Sequence, residues 1–407
     1  MPGSELFGVE ERKEVNDVLE TGILFRYNHD VPRKGHWKTR EFENQLAQFN
    51  GVKHALACSS GSTAVAIAMA ACGIGLGDEV IVPPFTYIAT VEGALLAGAL
   101  PIFAEIDETL CISPEGLKKA ITPKTKALVL VHMCGSMAKI EEIMQICEAN
   151  NITIIEDTAQ GLGASYKGKP AGTFGKVGTF SFDFFKIITC GEGGAMITND
   201  TNLYHRADQF SDHGHDHIGD NRGAEGHPLI GFNYRLGEMN AAVGVAQMRK
   251  IDYILAQQRK NKKILHDTLA QFPEITFRHI PDVNGDAATF MDFFLPNEEL
   301  TRKAVKALIE EGVPALTGVQ YWYDNNFHYI KNWEHLRNLT SAAPIYANIV
   351  PTPQDYNNYK EYLPITENLM ARLISFVVKV AWTDEQIKDL TTKITKAFEK
   401  VFAKEMV

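Results

Sequence analysis

The chain has 407 residues, 45% of them hydrophobic and 22% charged, which suits a globular protein with a large core and a smaller second one. A net charge of -10 provides no overall basic field for collecting phosphates, so nucleic acid is not an expected partner. Met1-Pro2-Gly3-Ser4-Glu5 has neither a basic region nor an apolar stretch, and no apolar run approaches the roughly 18 residues that span a bilayer. These features predict a soluble, cytoplasmic protein with no secretory leader and no membrane contact. The six cysteines (Cys58, Cys72, Cys111, Cys134, Cys147, Cys190) show no CxxC spacing and read as reduced, space-filling side chains.

In chain order, residues 10–21 and 40–50 read as amphipathic helices on either side of an irregular basic loop running from Arg26 to Arg40. From about 55 to 200, short apolar runs follow one another: 55–57, 80–82, 101–103, 127–131, 152–155, 177–182 and 195–198. Helical stretches at 63–72, 90–97 and 138–150 separate several of them. Fully apolar strands alternating with helices predict a mostly parallel sheet covered on both faces. A long helix over 237–258 then becomes strongly charged and leads to a C-terminal region ending in a helix over 384–404. The expected architecture is therefore α/β, with a large domain over 1–258 and a smaller α+β domain over 259–407. No internal repeat or low-complexity segment interrupts it.

The chemistry concentrates at strand ends. Thr179-Phe180-Ser181-Phe182-Asp183-Phe184-Phe185-Lys186 is an apolar strand running into a lone lysine, followed shortly by Gly191-Glu192-Gly193-Gly194. A lysine boxed in by aromatics loses solvation, which favours the neutral amine that can attack an aldehyde. A snorkelling lysine at a strand end is the plainer reading of that residue alone. Ser59-Ser60-Gly61-Ser62-Thr63 precedes a helix, where free N–H groups and the positive dipole end suit a phosphate, although it would also serve as an ordinary cap. Asp157 closes the strand 152–155, and in an open α/β sheet a carboxylate there faces the ligand crevice. Paired with a pyridine nitrogen it would help the ring accept electrons from a breaking Cα–H bond. Gln160 lies one turn later, and the turn Pro83-Pro84-Phe85-Thr86-Tyr87 places aromatics where one could stack on a flat ring.

The runs PPFTY, EDTAQ, FSFDFFK followed by GEGG, and Gly231-Phe232-Asn233-Tyr234-Arg235 occur together. In this order they resemble the DegT-type pyridoxal-phosphate-dependent sugar aminotransferases of fold-type I, clearly from about residue 3 to 245 and less so beyond. The resemblance implies pyridoxal 5'-phosphate as cofactor, with Lys186 forming the Schiff base and shuttling the proton. It implies that Asp157 pairs with the pyridine nitrogen, that Tyr87 stacks on the ring and that Gln160 contacts the ring oxygen. Gly61, Ser62 and Ser181 would hold the phosphate, with help from Thr63, and Asn233 would reach it from the other subunit of a homodimer. Ser62 stands where the family usually has threonine, and the C-terminal region lacks the family's usual ending. One subgroup replaces the lysine with histidine and dehydrates its sugar, whereas Lys186 favours amination.

Three features bear on the substrate. Arg26, Arg33, Lys34, Lys38 and Arg40 form a basic loop that could hold a nucleotide diphosphate or a sugar carboxylate, or could be a solvated face. Ser211-Asp212-His213-Gly214-His215-Asp216-His217 has HxHxH spacing, but the cofactor chemistry needs no metal, so His215 and His217 are expected to bond sugar hydroxyls. Tyr321-Trp322-Tyr323, His328 and Trp333 could wall a sugar pocket or fill the core. The SDHGHDHIG and VHMCGSMAKI segments resemble those of enzymes that aminate C8 of an oxidised 3-deoxy-octulosonate, a carboxylated sugar without a nucleotide. The resemblance thus implies transfer from L-glutamate to that carbon, for lipopolysaccharide or another surface glycan. The alternatives are a nucleotide-linked keto-hexose as acceptor, a dehydratase using the same cofactor, and a non-catalytic cofactor-binding regulator.

Overall fold

Seven strands build the central sheet in a computed structural model, which describes residues 2–219, 221–342 and 354–403. They are β1 (His54–Cys58), β2 (Glu79–Val82), β3 (Leu100–Phe103), β4 (Thr125–Val131), β5 (Thr153–Asp157), β8 (Val177–Ser181) and β9 (Gly194–Thr198), with a small hairpin, β6 (Ser165–Tyr166) and β7 (Lys169–Pro170), set between β5 and β8. The order across the sheet is β1-β9-β8-β5-β4-β2-β3. Every pairing is parallel except those of β9, which the glycine turn returns antiparallel between β8 and β1. The strands are almost wholly buried, as a sheet covered by helices on both faces requires.

This topology creates the site. The carboxyl ends of β1, β2, β4, β5 and β8 share one edge, and Gly194, at the amino end of antiparallel β9, joins them opposite both Cys58 and Ser181.

Four antiparallel strands form the second sheet, in the order β10 (Thr276–Phe277), β11 (Phe290–Phe294), β13 (Leu373–Val377) and β12 (Val319–Gln320). Phe293, Phe376, Ile394 and Phe398 centre its separate core, joined by Leu265 and Leu269 from the helix Ile251–Leu269. The expected helix over 237–258 is two helices, Glu238–Met248 and Ile251–Leu269, so the boundary placed at 258 falls inside the second. The C-terminal helix is Asp384–Phe402, and the expected end at 404 lies outside the described residues. The small sheet is clamped to the large one by the buried Arg278–Asp292 pair at 2.9 Å, with Arg278 also donating to Thr109 O and Met133 O. No described helix is long and apolar enough to cross a membrane.

Candidate active site

Lys186 follows β8 through a tight turn in which its N–H donates to Asp183 O at 3.1 Å and Phe185 N–H donates to the Asp183 carboxylate at 2.8 Å. Burial lowers the basicity of its amine, against the opposing carboxylates of Asp183 and Asp157. The neighbouring phenylalanines do not cause this burial. Phe184 and Phe185 are 54% and 61% exposed, so the aromatic box expected from the linear sequence is absent. The enclosure is tertiary.

The phosphate turn is built by a close approach of backbones. Ser60 caps the helix Gly61–Ala71, its Oγ accepting from Thr63 N–H at 3.1 Å while Ser60 N–H donates to Thr63 Oγ1 at 3.0 Å. Thr63 is thus committed to shaping the helix start, not to the phosphate as expected. The helix begins at Gly61, and its first N–H groups, at Gly61 and Ser62, have no intrahelical acceptor. A Cβ on Gly61 would lie 2.6 Å from Ser181 Cβ, and one on Gly194 would lie 2.2 Å from Ser60 O. Only glycine permits this packing, and the resulting cradle of N–H groups with the hydroxyls of Ser62 and Ser181 fits a phosphate.

At the other end of the site, the buried Asp157 carboxylate accepts from the Thr90 hydroxyl at 2.8 Å and from Ala159 N–H at 3.1 Å. Thr90 in turn contacts Thr86 Oγ1 at 2.8 Å. A carboxylate fixed in this way fits a pyridinium N–H. Gln160 Oε1 accepts from Cys134 N–H at 2.9 Å, which aims the side chain and leaves its NH2 to donate to a ring oxygen. Tyr87 is 43% exposed and edge-on to His328, with centroids 5.4 Å apart.

His328 was singled out in the sequence only as part of a sugar wall or core. The structure divides that cluster. Trp322, Tyr323 and Trp333 are core, whereas Phe327 to Ile330 lies against the aromatic turn of the large domain. Thr86 N–H donates to His328 O at 3.0 Å, Ile88 N–H to Phe327 O at 3.1 Å, and Ile330 N–H to Pro84 O at 3.0 Å. Burial and the nearby Lys186 push the His328 pKa down to about 3.

Four further expected residues are held by neighbours of their own. Arg26 is buried, paired with Glu43 at 2.8 Å and donating to Ala57 O at 2.9 Å, so its guanidinium is a scaffold element and not the substrate contact expected of it. Other cations of the basic loop are also committed internally: Arg33 is fully buried beside Glu238, and Lys38 pairs with Glu14 and Asp17. Asn233 is exposed on an isolated bridge to Asp212. His215 lies 2.9 Å from Glu225, and His217 stacks on Tyr27 with centroids 4.7 Å apart. Burial, with Arg222 nearby, lowers the His215 pKa. Asp212 anchors the segment by accepting from Arg222 at 2.7 Å and from Arg235. Among the described residues, no group of three or more His, Cys, Asp or Glu side chains is arranged to hold a metal ion.

Residues 7–350 match the DegT/DnrJ/EryC1/StrS aminotransferase family. The GDP-perosamine synthase of Vibrio cholerae is 39% identical over 264 residues, 65% of this chain and 69% of that protein. The L-glutamine:2-deoxy-scyllo-inosose aminotransferase of Micromonospora echinospora is 35% identical over 412 residues, 96% of this chain and 91% of that one. Among solved structures, the aminotransferase from Psychrobacter cryohalolentis superposes with a TM-score of 0.83 at 26% identity, covering 97% of this chain and 98% of that one. A GDP-4-keto-6-deoxymannose-3-dehydratase with a trapped PLP-glutamate geminal diamine superposes with a TM-score of 0.80 at 25% identity, covering 96% and 98%. The chain belongs to the DegT/DnrJ/EryC1/StrS aminotransferase family, whose cofactor is pyridoxal 5'-phosphate.

Proposed function

We propose that this aminotransferase moves an amino group from L-glutamate to a sugar carbonyl, C8 of an oxidised 3-deoxy-octulosonate, in the cytoplasmic synthesis of lipopolysaccharide or another surface glycan. The observation that carries the reading is the desolvated amine of Lys186 on the same sheet edge as the phosphate cradle and the Asp157 carboxylate. When bound, the cofactor supplies an aldehyde carbon and a ring that draws electrons from the amino acid's Cα. Gly61, Ser62 and Ser181 bind its phosphate, Asp157 orients the ring nitrogen, Gln160 the ring oxygen, and Tyr87 covers a face. Lys186 Nζ, neutral once released, takes the proton from the donor's Cα and would return it to the carbon the cofactor's aldehyde supplies, on the other side of the transferred nitrogen. Running the same proton movement backwards aminates the sugar.

A homodimer completes this reading, with Asn233 serving the neighbouring subunit's phosphate. The exposure of Asn233 together with Phe232 (51%), Ile230 (86%), Phe184 and Phe185 supports such an interface. The groups this reading offers a sugar acid are Arg222 Nη1 and His217 Nε2, which form no hydrogen bond among the described residues, although Glu225 lies 4.0 Å from the first and Asp212 3.6 Å from the second. The likeness to GDP-perosamine synthase fits a second reading, a nucleotide-linked keto-hexose as acceptor. Mass spectrometry of products formed with nitrogen-labelled glutamate decides between them. Label in the octulosonate is expected, and label in the nucleotide sugar alone rejects that substrate. Lys186→Ala should abolish both covalent attachment of the cofactor and turnover; normal turnover in that variant would remove Lys186 from its role.

A further inference from the structure

Pro2 and Gly3 of the short helix Pro2–Glu5 are buried, and Gly3 packs against the turn that presents Lys186. Gly3 N–H donates to Lys186 O at 3.3 Å. A Cβ on Gly3 would lie 2.7 Å from Thr189 N and 2.9 Å from Ile188 C, both backbone atoms of the stretch that follows the lysine. It would also lie 2.9 Å from Oε1 of Gln247, whose side chain is fully buried. Only a residue without a side chain comes this close. Within the turn, the N–H groups of Phe185 and Lys186 both bond back to Asp183, which shapes the turn without tying it to distant chain. Gly3 supplies such a tie.

The other end of the same segment is held by the second domain. Glu5 Oε2 accepts from Val380 N–H and from Ala381 N–H, both at 2.9 Å. Those two residues lie in the loop between β13 and the helix Asp384–Phe402. Lys250 Nζ donates to Leu6 O at 2.8 Å, fastening the next residue to the junction of the helices Glu238–Met248 and Ile251–Leu269.

We infer that residues 3–5 are a positioning strap for Lys186, with Gly3 holding the lysine's backbone and Glu5 anchoring the strap to the second domain. The inference rests on the aminotransferase reading of Lys186. Covalent attachment there needs Nζ to meet an aldehyde carbon, forming a C–N bond and releasing the aldehyde oxygen as water. A displacement of about 1 Å in the residue that carries the nitrogen is enough to slow such a step. The phosphate cradle is built from other contacts, those of Gly61 with Ser181 and of Gly194 with Ser60. Loosening the strap therefore separates attachment from binding.

Two probes read that separation in the full chain. Pyridoxal 5'-phosphate reports attachment, as the rate at which borohydride-trapped adduct at Lys186 appears by mass spectrometry. Pyridoxamine 5'-phosphate has an amine in place of the aldehyde, so its affinity reports the cradle alone. Gly3→Ala and Glu5→Ala are each expected to slow attachment about tenfold while pyridoxamine 5'-phosphate affinity stays within about twofold. Glu5→Gln should recover most of the rate, because one amide oxygen can accept both N–H groups as Glu5 Oε2 does. A merely structural segment would lower thermal stability and leave attachment and affinity moving together. Attachment unchanged in both alanine variants, or falling in step with affinity, overturns the inference; if Gly3→Ala fails to fold, the Glu5 pair decides alone. Wild-type protein that forms no adduct at Lys186 sinks the aminotransferase reading. The strap is then judged in the cofactor-free chain by hydrogen exchange of the amides at 183–189, expected about tenfold faster in Glu5→Ala. Exchange unchanged there overturns it.

Discussion

Gly194→Ala isolates the backbone packing on which the phosphate cradle depends. Gly194 does not adopt a positive φ, so an alanine there meets an obstacle of space alone. Its Cβ would lie 2.2 Å from Ser60 O, 2.4 Å from Ser60 C and 2.7 Å from Gly61 N. All three are backbone atoms, and no rotamer change relieves the overlap. β9 and the turn at Ser60 must separate by about 1 Å to reach ordinary contact. Overpacking of this kind costs about 1–3 kcal/mol. Expressed in cofactor affinity, that is a weakening of about 5- to 150-fold. Turnover should fall by up to about 100-fold, because the displaced turn sets where the reacting carbon sits relative to Lys186. Titrating the cofactor by absorbance, alongside thermal unfolding of the cofactor-free protein, measures both effects. Gly168→Ala is the comparison: φ is +79° with nothing within 4 Å of the added Cβ, so it carries backbone strain without a clash. Cofactor affinity in Gly194→Ala within about twofold of wild type, less than 1 kcal/mol, would refute the close-approach argument.

Thr90→Val removes the hydroxyl that donates to Asp157, leaving a buried carboxylate oxygen short of a donor at a cost of about 1–3 kcal/mol. We expect turnover to drop about 5- to 100-fold, with Thr90→Ser recovering most of it; unchanged turnover in the valine variant would show that this hydroxyl does not fix the Asp157 carboxylate for its role. Arg26→Met strands buried Glu43, and losing one partner of such a pair typically costs about 3–5 kcal/mol. Thermal stability should fall while the Michaelis constant for the sugar holds, and the opposite pattern would restore Arg26 as a substrate contact. Asp212 is lowered despite burial, which alone would raise it, because Arg222 and Arg235 hold it ionised. A carboxylate with a depressed folded pKa contributes stability above its unfolded value and loses it as the pH falls through the folded one. Urea midpoints should therefore fall more steeply with acid in wild type than in Asp212→Asn, and parallel curves would contradict the assignment.

Much of this molecule is legible in its linear order. Short, mostly apolar runs of three to six residues are strands because a sheet covered on both faces needs no polar alternation, and all seven are bounded to within two residues. Ser60-Gly61, Asp157 and Lys186 stand at strand ends, and the parallel topology forces such ends together, so the core of the site follows from position alone. Local signals failed where distant chain decides the environment. Arg249-Lys250 holds neither Gly nor Pro, and its backbone stays near helical, so nothing marks the break between the two helices. Phe184 and Phe185 look like a desolvating box because they adjoin Lys186, yet the turn that presents the lysine points them outward. Arg26 and Arg33 read as a free basic loop because their partners Glu43 and Glu238 lie 17 and 205 positions away. His328 carries no motif, and it joins the site only because Phe85 pairs with Tyr329 across more than 240 residues. Hydrophobic period and strand-end chemistry are written in neighbouring residues, whereas desolvation and charge pairing depend on what the folded chain brings alongside.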